Sequence, residues 1–91
     1  MLVKYQRNPQ TAGRIIDAMV FVLTPDDNML HTLNQTATRL WILAGESGGT
    51  TAEQVADDLV ARFQVDKARA LDDVATCVQD LLRRRILVES A

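Results

Sequence analysis

The chain of 91 residues holds one cysteine, one histidine and one tryptophan. It has no excess of basic charge and no long apolar run. Each shortage excludes something. Cys77 standing alone rules out an internal disulfide and a cysteine-cluster metal site, so neither a metal nor a cofactor is expected. His31, the sole histidine, cannot by itself build a metal centre or an oriented catalytic dyad. The longest apolar stretch, Ala18 to Leu23, is strand-sized, far short of the roughly 18 residues of a membrane span. Residues 1–14 lack a basic segment followed by an apolar core, so no secretory signal is expected and a cytoplasmic location is the default. Net charge is −2. Residues 1–50 carry four bases and four acids, residues 51–91 six bases and eight acids, and neither half makes a basic footprint for nucleic acid.

What is present reads as one small domain over residues 1–91. A hydrophobic content of 47% is that of a globular protein. Residues 1–13 are polar and contain Pro9 and Gly13; they read as a loosely ordered start with room for an edge strand. Arg14 to Leu23 is rich in β-branched and aromatic residues and reads as strand, with Asp17-Ala18 able to split it in two. The segment Thr24-Pro25-Asp26-Asp27-Asn28 is a five-residue turn. Met29 to Leu33 follows as a second strand, with Met29, His31 and Leu33 on one face and Leu30 and Thr32 on the other. This gives a hairpin.

Three helices complete the α+β fold. Asn34 can cap the first, which carries Ala37, Leu40, Trp41 and Ala44 at helical spacing, and Gly45 suits a left-handed end. Thr50 with Glu53, or Thr51 with Gln54, fits the capping box of the second. Its apolar stripe is Ala52, Val55, Ala56, Leu59 and Phe63. Asp66 can cap the third, whose stripe runs through Leu71, Val74, Ala75, Val78, Leu81 and Leu82. Arg83, Arg84 and Arg85 fall at its end, where positive charge complements the helix dipole. Ile86-Leu87-Val88 reads as a terminal strand or a packed tail.

The candidate chemistry is thin. Gly45-Glu46-Ser47-Gly48-Gly49 matches G-x-S-x-G, but that elbow must follow a strand and precede an acid and a histidine. Here it follows a helix, and His31 lies upstream. Asp57-Asp58 and Asp72-Asp73 are neighbours on helices, so each pair diverges by about 100° and cannot share one ion. Asp58 with Arg62, Arg69 with Asp73 and Asp80 with Arg84 have ion-pair spacing instead. A DNA-reading winged helix is the alternative reading, opposed by Asp72, Asp73 and Asp80 on the would-be recognition helix. A small sheet does leave exposed edges, and a peptide strand can add to one. The third helix, with the small or soft Ala70, Ala75 and Cys77 beside its stripe, suits the wall of a groove along that edge. The exposed edge and the glycine-bearing loop are also compatible with a homodimer.

Several segments resemble a known family. Leu33-Asn34-Gln35-Thr36-Ala37-Thr38-Arg39-Leu40-Trp41 is similar to its "LN-x-T-A-x-x-[IL]-W" segment. Thr51 to Phe63 resembles its second helix, and Asp73-Val74, Leu81 and Ile86-Leu87 resemble its third helix and tail. The family is PqqD, of pyrroloquinoline quinone biosynthesis, prototype of the RiPP recognition element. The resemblance implies a winged-helix-like fold with an N-terminal three-stranded sheet. It implies a non-catalytic peptide chaperone that holds the leader of a ribosomally made precursor as an added strand and delivers it to a modifying enzyme, a radical SAM protein in the quinone pathway. Mapped onto this chain, the peptide would lie beside Met29, Leu30, His31, Thr32 and Leu33, walled by Ala70, Asp73, Val74, Cys77 and Val78. The chain departs from the family pattern at Ala44-Gly45, at Cys77 in place of an aromatic, and at Arg85 in place of a glycine.

Overall fold

The computed structural model describes residues 3–90. Five strands and three helices follow in the order β1 (Lys4–Arg7), β2 (Ala12–Ile16), β3 (Met19–Thr24), β4 (Met29–Leu33), α1 (Gln35–Ala44), α2 (Ala52–Arg62), α3 (Lys67–Arg83) and β5 (Leu87–Ser90). The architecture is therefore α+β, with antiparallel strands first and three helices after.

Asp17-Ala18 does split the first strand stretch. Both residues have positive φ, 51° and 66°, and Ile16 pairs with Met19 across them. That is a two-residue hairpin turn with φ positive at both central positions, the twist that matches paired strands. The β3–β4 loop is four residues, because Thr24 pairs with Met29. Asn28 closes it in the left-handed region at φ 54°. The result is an antiparallel meander, β2-β3-β4.

The start of the chain is more ordered than its polarity suggests. β1 pairs antiparallel with β5, Lys4 opposite Ser90 and Arg7 opposite Leu87, in a separate two-stranded sheet. Tyr5 also exchanges backbone bonds with Thr50, at 2.7 and 2.9 Å. The C-terminal segment is thus a strand, β5, rather than a packed tail.

The helix caps follow the sequence closely. Asn34 accepts from the Ala37 N–H at 2.9 Å, and Asp66 accepts from Arg69 at 2.8 Å. Of the two capping boxes, Thr51 with Gln54 is the one that forms. Gly45 is not left-handed: its φ is −81°. A Cβ there would meet the Arg7 guanidinium, so a larger residue would have to push that side chain from its place over Trp41. The left-handed residues are Gly48 and Gly49, at 82° and 77°. At the end of α3, Arg85 donates to Leu82 O and Ile86 to Leu81 O, at 3.1 and 2.9 Å. These are the two bonds of a Schellman motif, with Arg85 at its left-handed position, φ 60°.

The core lies between the inner face of the meander and the helices. Val20, Val22 and Leu33 come from the sheet, Leu40 and Trp41 from α1, Val55 and Leu59 from α2, and Val74, Val78 and Leu81 from α3, closed by Ile86 and Leu87. Strand β2 is exposed along its whole length. Among the described residues no helix is long and apolar enough to cross a membrane.

Candidate functional site

The meander has one strand, β4, whose far side is unpaired among the described residues and lies close to a helix. Backbone geometry fixes which groups it offers. Ile16 and Met19 close a two-residue turn, so they must be a hydrogen-bonded pair. Alternation then turns the N–H and C=O of Val20, Val22 and Thr24 toward β4. Their partners Leu33, His31 and Met29 spend their main-chain groups on β3. Leu30 and Thr32 are left with N–H and C=O pointing outward, an open template for another strand. Leu30 is also 64% exposed.

Beside this edge runs a groove of ≈ 610 Å³. Thr32, Leu33 and Asn34 line one side, Thr36 and Ala37 its end, and α3 the other wall. The α3 residues that face it are Asp73, Thr76, Cys77, Asp80, Leu81, Arg83 and Arg84. Arg85 is paired with Asp26 of the β3–β4 loop at 3.1 Å, which places the C-terminal end of α3 beside the start of β4. The helix therefore runs antiparallel to β4.

The expected wall and the observed one differ in part. Asp73 and Cys77 line the groove. Ala70, Val74 and Val78 do not: at 0%, 0% and 2% exposure they are core. They occupy the stripe that packs inward, and the wall is the neighbouring stripe, which adds Thr76, Asp80 and Arg84. On the strand, Leu33 is buried, His31 half-buried, and Met29, Leu30 and Thr32 exposed.

Charges along α3 are mostly tied in pairs, Arg69 with Asp73 at 4.0 Å and Arg84 with Asp80 at 3.1 Å. All three ion pairs expected from spacing are present, Asp58–Arg62 among them at 2.9 Å. Asp58 gains a second guanidinium, Arg39, at 2.7 Å, which links α1 to α2. The hydrogen bond from Arg39 is the main reason its carboxyl is held below the usual range.

Two side chains with chemical potential are disarmed by their surroundings. Burial pushes the Cys77 thiol up to about 11, aided by Asp80 and only partly offset by Arg84. It is a thiol, not a thiolate, at neutral pH. His31 Nε2 lies 2.9 Å from Thr24 Oγ1, a contact the sequence did not announce. Thr24 Oγ1 is also 2.5 Å from Asp27 Oδ1. An ionised carboxylate can only accept, so the hydroxyl donates to Asp27 and the ring N–H donates to the hydroxyl, an assignment made from geometry. The histidine therefore cannot take the Thr24 proton, and Thr24 is 3% exposed. The trio locks the β3–β4 turn, and the Thr24 bond holds the Asp27 carboxyl below its usual range. Among the described residues no group of three His, Cys, Asp or Glu could hold a metal.

An open strand edge facing a helix across a groove is the arrangement that the segment resemblances anticipate. The family model for coenzyme PQQ synthesis protein D, PqqD, matches residues 19–87. The chain belongs to the PqqD family. Two solved structures are similar to this PqqD-family chain. One is TbiB1 in complex with the TbiA(beta) leader peptide, 22% identical, covering 94% of this chain and 98% of that one, with a TM-score of 0.82. The other is a lasso peptide synthetase B1 complexed with the leader peptide, 21% identical, covering 93% and 98%, with a TM-score of 0.77. At such identity they establish a shared fold. No curated protein sequence matches.

Proposed function

We propose that the protein is a non-catalytic recognition domain. It binds the leader region of a ribosomally made precursor peptide as a fourth strand on β4 and presents it to a separate modifying enzyme. The observation that carries this is the outward-facing backbone of Leu30 and Thr32 on the β4 edge, where Thr32 and Leu33, but not Met29, Leu30 or His31, line the α3 groove. A strand laid there gains main-chain hydrogen bonds from β4, while alternate side chains reach the groove floor at Leu33, Ala37 and Cys77. The similar folds of two leader-peptide complexes support the reading, as does membership of a family described by coenzyme synthesis. In the quinone pathway the receiving enzyme would be of the radical SAM type; the protein and its partner would meet in the cytoplasm. A homodimer is compatible with this use of the surface, since β2 is a second open edge. The DNA reading gains nothing from the structure: Asp73 and Asp80 stand on the α3 surface that would have to face phosphate.

Amide chemical shifts decide the matter. Titration with the leader encoded by a neighbouring precursor gene should move Met29–Leu33 and the groove-facing residues of α3. No response to leader, with shifts around Arg83–Arg85 on adding duplex DNA, would overturn it.

A further inference from the structure

A second cleft, of ≈ 800 Å³, opens on the other side of the α1 N-terminus. Its walls are mainly apolar: Ile15, Ala18 and Met19 from the β2–β3 hairpin, Ile42 from α1, and Phe63 at the end of α2. Ile15 is 51% and Met19 45% exposed, although both are large apolar side chains beside a core. Leu33 and Asn34 line this cleft and the α3 groove alike. The two depressions therefore share a wall at the end of β4.

We propose that this cleft is a second subsite for the same peptide, taking an apolar side chain from the segment that flanks the strand on its N-terminal side. The inference rests on the strand-addition reading. The meander is antiparallel throughout, and a strand added in the same sense carries its N-terminal flank past Leu33. The distance is short. From Gln35 to Ile42 is two turns of α1, about 10 Å at 1.5 Å per residue. About three extended residues cover it. On the way the flank crosses the first turn of α1, whose free N–H groups favour carbonyl or carboxylate oxygens. At the rim, Arg39 and Arg62 share the single carboxylate of Asp58. One positive charge is left over, so an acidic residue next to the apolar one is the complement. The ligand class is thus an apolar residue with an acidic neighbour, about three positions before the strand.

Two adjacent residues make the test. Ile15 lines the cleft, whereas Ile16 lies on the opposite face of the same strand at 49% exposure. Peptides are selected from a displayed random library on the wild-type domain, and the best binder is remade with and without its N-terminal flank. Ile15→Asp should lower affinity for the long peptide by about tenfold, the worth of one buried apolar side chain. Ile16→Asp should leave it unchanged, and the flankless peptide should not distinguish the two variants. Equal affinity of Ile15→Asp and wild type for the long peptide would overturn the second subsite while leaving strand addition standing. Recovery of no binder at all would overturn both.

Discussion

The guanidinium of Arg7 lies over the indole of Trp41, its Cζ 3.3 Å from the ring centroid, and its Nε donates to the Trp41 carbonyl at 2.8 Å. Trp41 is thereby held from β1, while Gly13 of β2 closes on the same ring. A Cβ at Gly13 would overlap Trp41 Cζ2 and come within 2.9 Å of Cε2.

Gly13→Ala therefore has to displace a fixed ring rather than a flexible tail. Overpacking of this kind costs about 1–3 kcal/mol. Urea denaturation should show a lower midpoint with an unchanged slope. Wild-type stability would mean that Trp41 is free to move.

Leu30→Pro separates binding from folding. The Leu30 N–H points away from β3, so the edge strand tolerates its loss. Removing one main-chain donor and crowding the added strand should weaken peptide binding by at least about tenfold. His31→Pro, which removes a donor spent on β3, should unfold the hairpin instead. Circular dichroism and calorimetry on the pair would show the contrast.

Asp58 gives a pH dependence. Its carboxyl pKa is depressed in the folded chain, chiefly by the Arg39 hydrogen bond. The contribution is complete above the ordinary carboxylate pKa of about 4 and disappears as pH falls through the lower, folded value. Asp58→Asn should cost about 1 kcal/mol at neutral pH. The gap between the two proteins should narrow as acid is added, and a gap constant down to about pH 2 would rule out this linkage.

Cys77, with its thiol pushed up to about 11, should alkylate slowly. At neutral pH its thiolate fraction lies on the order of 10²-fold below that of a free cysteine. Iodoacetamide kinetics followed by mass spectrometry should show that lag. Peptide in the groove should extend it.

Arg85→Gly should stabilise the domain. A non-glycine residue at φ 60° carries backbone strain of about 1 kcal/mol. The pair it makes with Asp26 is exposed and worth less. Thermal unfolding should shift upward by a few degrees for a domain of this size.

Much of this was legible in the sequence because it is local. Asn34, Thr51 and Asp66 announce helix starts through side chains that bond their own first turns. Asp17-Ala18 lies at the midpoint of a β-rich run and breaks it. The pairing of β1 with β5 was not legible, since the partners sit at opposite ends of the chain and neither carries a strong pattern. Gly45 reads as a left-handed cap, but the demand on it comes from Arg7, thirty-eight positions away. For α3, amphipathicity tells which stripe is buried and not which flank meets the sheet edge. Val74 and Val78 stand in the buried stripe by their spacing; only the family mapping sets them, with Ala70, at a groove that Thr76, Asp80 and Arg84 line. The Ile15 and Met19 cleft escaped because an apolar strand residue reads as core until its neighbours are placed.

The β1–β5 pairing has a topological consequence. Lys4 and Ser90 stand opposite each other on adjacent strands, about 5 Å apart in such a ladder. Neither strand lines the groove or the cleft. Both ends of the described chain therefore leave through one narrow doorway, on a sheet that lines neither depression. The domain can thus be spliced into a surface loop of a larger enzyme, or circularly permuted, without disturbing β4 or α3.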